Sequence, residues 1–397
     1  MATAPGPMTA AAVALASELI AVDSVNPALV PGAAGERAIV ALLADRLRAK
    51  GFETEVIVPQ AYADRPSLLA RHRGRGAGRG RSILLNGHLD TVGVGQMSEP
   101  FTPRIDDGRL YGRGACDMLG GIAAMVVAAE AVAERGHTGE VMLALTADEE
   151  HGSLGTDEVI SHLASRDELP DVCLVGEPTW LELVVAHRGF AVVDVELRGR
   201  SAHSSRPHEG IDALAHLGRL ITAVTDTQRQ LDVKAPHPLA GHGSLMVTVA
   251  SGGVSPFVVA DRARATVERR TVPGESAGGA LREVESILAG LTAADPGVES
   301  TATLTMSREA FEVADGDVAA EELMSALSAA LPGGAARVGA EYWMESALWH
   351  AAGVSTVVCG PAGGGLHADL EWVEIDQLGR YAAAVTAALE SFLRVPE

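Results

Sequence analysis

Four short apolar blocks punctuate the chain without alternation: Ile83 to Leu85, Val141 to Leu145, Val172 to Val175, and Thr356 to Cys359. Unbroken runs of this length suit strands buried on both faces, as in a parallel sheet between helices. The stretches between them carry helical spacing, clearest over 118–135, where Ile122, Met125, Val126 and Ala129 share one face. Ahead of the first block the pattern predicts helices over about 8–21 and 34–50, split by an Asn26-Pro27, Pro31-Gly32 loop and stopped at Gly51. The Gly/Arg-rich run 71–81 lacks aromatics and reads as a solvated loop. Strands and helices in this order predict an α/β fold with a mixed, mainly parallel sheet.

The middle of the chain is patterned differently. Residues 190–198 and 262–270 partly alternate, as expected of strands with one wet face. From 190 to 306 the order is strand, helix (209–230), strand (244–251), strand (258–270), helix (275–290), strand (298–306). That is the β-α-β-β-α-β order of a ferredoxin-like α+β unit. The expectation is one catalytic domain made of 1–187 and 307–397, with a lid domain of 188–306 inserted into it.

Composition narrows the function. At roughly 150 residues per domain, 397 residues suit two to three domains. Thirty-one basic against fifty-two acidic residues give a net charge of −21, which repels phosphate backbones and argues against nucleic acid as a partner. Cys116, Cys173 and Cys359 are widely spaced, which excludes a thiolate zinc site and a disulfide framework and suits a reducing cytoplasm. No uninterrupted apolar run reaches the roughly 18 residues of a membrane span, and the opening segment has no basic leader pattern, so neither a membrane nor export is expected.

The chemistry follows the buried blocks. The first leads into Asn86-Gly87-His88-Leu89-Asp90, the second into Asp148-Glu149-Glu150, the third into Gly176-Glu177-Pro178, and the fourth into a glycine-rich turn and His367. Ligands of open parallel sheets bind beyond the carboxyl ends of the strands. A fifth element, Gly112-Arg113-Gly114-Ala115-Cys116-Asp117, leads into the 118–135 helix with Asp117 near its N-cap. Histidines and carboxylates without a cysteine pair suit a borderline divalent metal such as zinc or cobalt. If Asp117, Glu150 and Glu177 faced two such ions, three negative charges would meet four positive ones and one hydroxide would balance them. Glu149, beside Glu150, is then free to serve as a base, and the Asp90 carboxylate could hold the other N–H of His88.

Taken singly, each residue has an ordinary reading. His88, His367 and His203 could be turn or surface histidines, Asp117 a helix cap, Glu149-Glu150 a solvated helix start, Glu177 a turn residue, and Arg270 a solvent-facing strand residue. Joint placement after the four buried runs separates His88, Glu149, Glu150, Glu177 and His367 from these readings. Two other motifs fail. Gly274-Glu275-Ser276-Ala277-Gly278 fits a serine nucleophile elbow, but the strand before it is wet on one face. A dinucleotide fingerprint starting at Gly112 would need glycine where Asp117 stands.

Seven segments, NGHLDTV (86–92), GRGACDMLGG (112–121), TADEEHGSLGT (146–156), GEPT (176–179), GRSAHSSRPHEGIDA (199–213), RRTVPGE (269–275) and GLHADLEWVEI (365–375), resemble in order and spacing those of the M20 metallopeptidases. Within that family they look most like the acetylornithine deacetylase / succinyl-diaminopimelate desuccinylase group. The resemblance implies His88, Asp117 and Glu177 around one metal, and Asp117, Glu150 and His367 around a second, with Asp117 bridging. It implies Glu149 as general base, Asp90 as the acid that orients His88, His203 as an oxyanion contact reaching a partner subunit's site, and Arg270 as the substrate-carboxylate ligand. A non-proline cis peptide is expected after Asp117.

The function expected is hydrolysis of the amide bond of an N-acyl amino acid through a metal-bridging hydroxide, in a homodimer built through the lid, with two divalent ions, zinc first and cobalt or manganese next. The alternatives are a dipeptidase, carboxypeptidase or carbamoyl-amide hydrolase of the same family, or a metal-dependent binding protein on an inactive hydrolase scaffold. One departure bears on substrate. The desuccinylase branch has an asparagine in the loop before the last lid strands, and residues 252–261 here contain none, which argues against succinyl-diaminopimelate.

Overall fold

The structure is a computed structural model and describes all residues except 1–5, 60, 61, 63, 76–79, 296, 298 and 394–397. Part of the expected 71–81 loop therefore lies outside the described residues. The chain divides into two compact units: Met1–Val185, Val313–Val338 and Leu348–Glu397 form the first, and Ala186–Glu312 with Gly339–Ala347 form the second.

The first unit is built on a mixed sheet. Its strands lie in the order Glu53–Ile57, Ser67–Arg73, Glu140–Thr146, Ser82–His88, Val172–Val175, Ser355–Val358, Leu183–His187. The four that carry the apolar blocks are adjacent and parallel, with antiparallel strands on either flank. Those four are buried along nearly their whole length, which is why their sequences do not alternate. Register brings their carboxyl ends level: His88 lies opposite Thr146, Asn86 opposite Val175, and Val175 opposite Val358.

The helix Gly120–Arg135 packs beneath this edge, between the helices Pro7–Ile20 and Ile375–Phe392. By length and apolarity the segment Ala115–Arg135 could cross a bilayer, but it is almost wholly buried inside the unit, as a core helix is. Small residues permit its approach to the sheet. A Cβ on Gly121 would lie 2.4 Å from the Gly176 carbonyl oxygen, and one on Gly87 would lie 2.7 Å from the Met118 methyl carbon.

The second unit has the ferredoxin-like arrangement. Its four antiparallel strands lie in the order Ser244–Gly252, Arg262–Thr271, Gly189–Arg198, Glu299–Arg308. The helices Ala213–Asp232 and Gly279–Ala294 contribute Leu217, Leu220, Val224, Val284 and Leu288 to a core with Val193, Val195 and Val267. Burial alternates along Gly189–Arg198, matching its sequence pattern. Asp212 caps the longer helix, its side chain accepting from the Leu214 and Ala215 N–H groups. Residues 339–347, remote in sequence, also join this unit and place the Trp343 ring edge-on to Phe190 at 5.8 Å.

Candidate metal centre

The centre assembles at the level strand ends of the first unit. His88 is the last residue of its strand and is buried. Its Nδ1 faces the Asp90 backbone carbonyl at 2.9 Å, while the nearer Asp90 carboxylate oxygen stands 3.8 Å away. Where the expectation put the Asp90 carboxylate at this nitrogen, the structure has the Asp90 backbone carbonyl instead. An Nδ1–H donated to that carbonyl leaves the Nε2 lone pair facing the centre. Nε2 lies 3.1 Å from Asp117 Oδ1 and 3.7 Å from Glu177 Oε1.

The other Asp117 oxygen, Oδ2, lies 3.3 Å from His367 Nε2, which is in turn 3.1 Å from Glu150 Oε2. Asp117 thus stands between the two histidines with one oxygen toward each. It does not cap the following helix, which begins at Gly120 and has no side-chain cap. The peptide between Asp117 and Met118 is cis. Two groups offer donor atoms within 4.8 Å of one another: His88, Asp117 and Glu150, and also His88, Glu149 and Glu177. The five expected ligands and Glu149 are therefore neighbours in one cluster.

The electrostatics favour a cation. Burial works against a charged His88, yet Glu177, Asp117 and Glu149 outweigh it and raise its pKa well above the ordinary value. His367 is raised to about 10 by its bonds to Asp117 and Glu150. Burial alone would raise Asp117, but hydrogen bonds from His367 and His88 reverse this and hold its carboxyl low. Glu150 is pushed up by burial. Its Oε1 is buried with no hydrogen-bond partner among the described residues. The raised values of both imidazoles mark this as a place that favours positive charge. Two nitrogens, four carboxylates and an orphaned carboxylate oxygen fit a divalent ion of the zinc type.

Several supporting residues escaped the sequence reading. Glu371 is buried and accepts four bonds: Oε1 from the backbone N–H groups of Cys116 (2.9 Å) and Asp117 (3.0 Å), Oε2 from the Gly114 N–H (2.9 Å) and Arg113 Nη1 (2.8 Å). It ties the loop of Asp117 to the segment that carries His367. The Asp90 carboxylate accepts from the backbone N–H groups of Glu149 (3.1 Å) and Glu150 (3.2 Å). Asn26, read only as part of a loop, and Arg65 and Glu36, not singled out at all, lie buried behind that turn.

The remaining expected residues, His203 and Arg270, belong to the second unit. His203 is exposed, and its Nδ1 accepts from the Ser205 backbone N–H at 3.2 Å, which leaves the hydrogen of a neutral ring on Nε2. Arg270 lies 2.6 Å from Glu268, with its guanidinium 5.3 Å from the centre of the Phe190 ring. The adjacent Arg269 is buried and braces the following turn through Glu275 and Glu283. Ser276 of the elbow-like motif bonds Glu309 on an exposed turn. His187 is buried and bonded to Ser346 at 2.8 Å, and burial lowers its pKa to about 4.

Residues 84–391 match the sequence profile of peptidase family M20/M25/M40. A succinyl-diaminopimelate desuccinylase of Cereibacter sphaeroides is 33% identical over 317 residues, covering 77% of this chain and 79% of that protein. Among solved structures, an M20 family metallo-carboxypeptidase of Sulfolobus solfataricus is similar with a TM-score of 0.78 at 16% identity, over 96% of this chain and 99% of that one. A dinuclear metal binding peptidase of the M20 family from Bacillus subtilis is similar with a TM-score of 0.71 at 14% identity, over 97% and 99%. The chain belongs to peptidase family M20/M25/M40 and is a hydrolase of amide bonds.

Proposed function

We propose that the chain is a metal-dependent N-deacylase that releases an amino acid from its N-acyl form. The observation that carries this reading is the single cluster of His88, Asp117, Glu149, Glu150, Glu177 and His367 at the strand ends. His88, Asp117 and Glu177 would hold one divalent ion and Asp117, Glu150 and His367 the other, with Asp117 shared. When bound, such ions supply Lewis acidity toward the amide carbonyl and the attacking water. Zinc suits the donor set best, with cobalt or manganese next.

Glu149 is assigned the proton work. It removes a proton from the water that attacks the carbonyl and returns it to the departing nitrogen, so that water adds across the C–N bond and leaves a carboxylate and an amine. Its backbone N–H is held by Asp90, which fixes where its side chain starts. Arg270 is assigned the substrate carboxylate, in exchange for Glu268, and His203 the oxyanion through Nε2–H. The latter role calls for a homodimer. The three free, buried cysteines suit the cytoplasm.

Acyl transfer is preferred to peptide cleavage because the relative at 33% identity is named for removing an acyl group. The test is amine release from a panel of N-acetyl and N-succinyl amino acids, dipeptides and ureido acids by metal-stripped protein, with and without added zinc or cobalt. Metal-restored release from the acyl amino acids is expected. Restored cleavage of dipeptides or ureido acids alone would overturn the substrate class, and a bound, uncleaved amino acid under every metal would overturn the enzyme reading.

A further inference from the structure

Behind the Glu149-Glu150 turn lies a string of buried polar groups that meets the cluster through Asp90. Glu36, Asp90 and Asp148 are all fully buried. Arg65 is the cation set among them, only 4% exposed. Its Nε and Nη2 grip the two oxygens of Glu36, and its Nη1 donates to Asp148 Oδ1 at 2.9 Å. Asn26 completes the string. Its amide nitrogen donates to Asp90 Oδ2 at 2.8 Å and to Asp148 Oδ1 at 3.1 Å, and its oxygen accepts from the Ala28 N–H.

The two aspartates so held are the ones that shape the turn. Asp90 accepts the Glu149 and Glu150 N–H groups. Asp148 adopts a left-handed backbone with φ of 70°, uncommon for a residue with a side chain, and its carbonyl accepts from Gly152. A buried ion pair adds little net stability over apolar packing of the same volume. What this arrangement supplies is direction: the bonds to Asp148 act one position from the proposed base, and the bond to Asp90 acts on the carboxylate that holds the Glu149 and Glu150 N–H groups.

We propose that Arg65 and Asn26 are positioning residues of the hydrolysis, holding the Asp148 to Glu150 turn so that Glu149 and Glu150 start from their working positions. The inference rests on the metallohydrolase reading above. Arginine is required for its shape as well as its charge, since lysine cannot grip Glu36 with two parallel bonds and reach Asp148 with a third. Displacement by about 1 Å at such a distance costs up to about a hundredfold in rate.

The experiment compares Arg65→Lys, Asn26→Ala and the charge-neutral pair Glu36→Leu/Arg65→Met with Glu149→Gln. Each is measured for melting temperature, for zinc bound by calorimetry, and for kcat and KM on the best N-acyl substrate of the panel. The expected result is zinc stoichiometry as in the parent, KM within about threefold, and kcat lower by about tenfold to a hundredfold. Arg65→Lys should recover the melting temperature better than it recovers kcat. Asn26→Ala changes no charge and carries the test if the arginine variants do not fold. Parental kcat in Asn26→Ala and Arg65→Lys, with Glu149→Gln inactive, would overturn the positioning role. So would a loss of kcat that only follows loss of bound zinc or of melting temperature. A fully active Glu149→Gln would instead sink the assignment of the base.

Discussion

The two histidines of the centre stand on opposite kinds of backbone. His88 ends a central strand, is 1% exposed in its side chain, and has its second nitrogen braced by the chain two residues on. His367 sits on a glycine-rich turn with a left-handed φ of 60°, is 54% exposed, and meets the centre through Asp117 and Glu150. One corner is preorganised by the sheet ladder. The other is held by the few bonds that tie its loop down, among them those of Glu371. On the proposed assignment, Asp117 joins a half built into the sheet to a half built on an exposed turn, and the half in the sheet should bind its ion first and more tightly.

The largest expected effect lies between the corners. Glu149→Ala should lower kcat by about 10²- to 10⁴-fold while metal content, read by elemental analysis, stays at the parental level. Next comes the comparison of corners itself. His88→Ala should weaken binding of both ions by more than about a hundredfold, whereas His367→Ala should keep one tightly bound equivalent in a calorimetric titration. Equal losses in the two variants would break the sheet-against-turn distinction.

Glu371→Gln sharpens it further. The amide offers a donor where the backbone N–H groups of Cys116 and Asp117 or the Arg113 guanidinium need an acceptor, so the second ion should weaken by about ten- to a hundredfold with the first little changed. A pH series tests the same corner. His367 is raised to about 10 by its bonds to Asp117 and Glu150, so on the proposed assignment a proton there competes with the second ion. Affinity for that ion should therefore rise with pH by up to about tenfold per unit and level off above pH of about 10, with proton release read from titrations in buffers of different ionisation heat. The smallest effect is local. A Cβ on Gly360 would lie 2.2 Å from the Glu177 carbonyl oxygen, so Gly360→Ala should cost about 1–3 kcal/mol in denaturant unfolding.

Legibility in the sequence followed the kind of interaction. The central strands could be read because burial on both faces leaves an unbroken apolar run, and the second unit because one wet face leaves alternation. Residues at or just beyond the ends of those strands, His88, Glu149, Glu150 and Glu177, inherit their place from the runs before them. His367 follows its run only after a glycine-rich turn and Asp117 stands at a helix start, so their pairing as neighbours rests on motif resemblance. Arg65, Glu36 and Glu371 were invisible, because a charged residue that will be buried against a partner far along the chain looks like any surface charge. The 339–347 segment was equally hidden. Its transfer to the second unit depends on Trp343 meeting Phe190, a contact between positions 153 apart in the chain. Spacing also misassigns the atom at Asp90: it names the residue and suggests its carboxylate, where the structure has its carbonyl at 2.9 Å from His88 Nδ1.

The helix Ile375–Phe392 has a consequence for biosynthesis. It buries Leu378, Tyr381, Val385, Leu389 and Phe392 against the helices Pro7–Ile20, Gly120–Arg135 and Val318–Ala330. The core that supports the strand ends is thus closed only when Ile375–Phe392, made long after Pro7–Ile20, docks against it. A nascent chain interrupted before residue 375 already carries His88, Asp117, Glu149, Glu150, Glu177 and His367, yet leaves the apolar faces of three helices uncovered. Carrying the donor atoms and holding them in place are therefore separate events in synthesis.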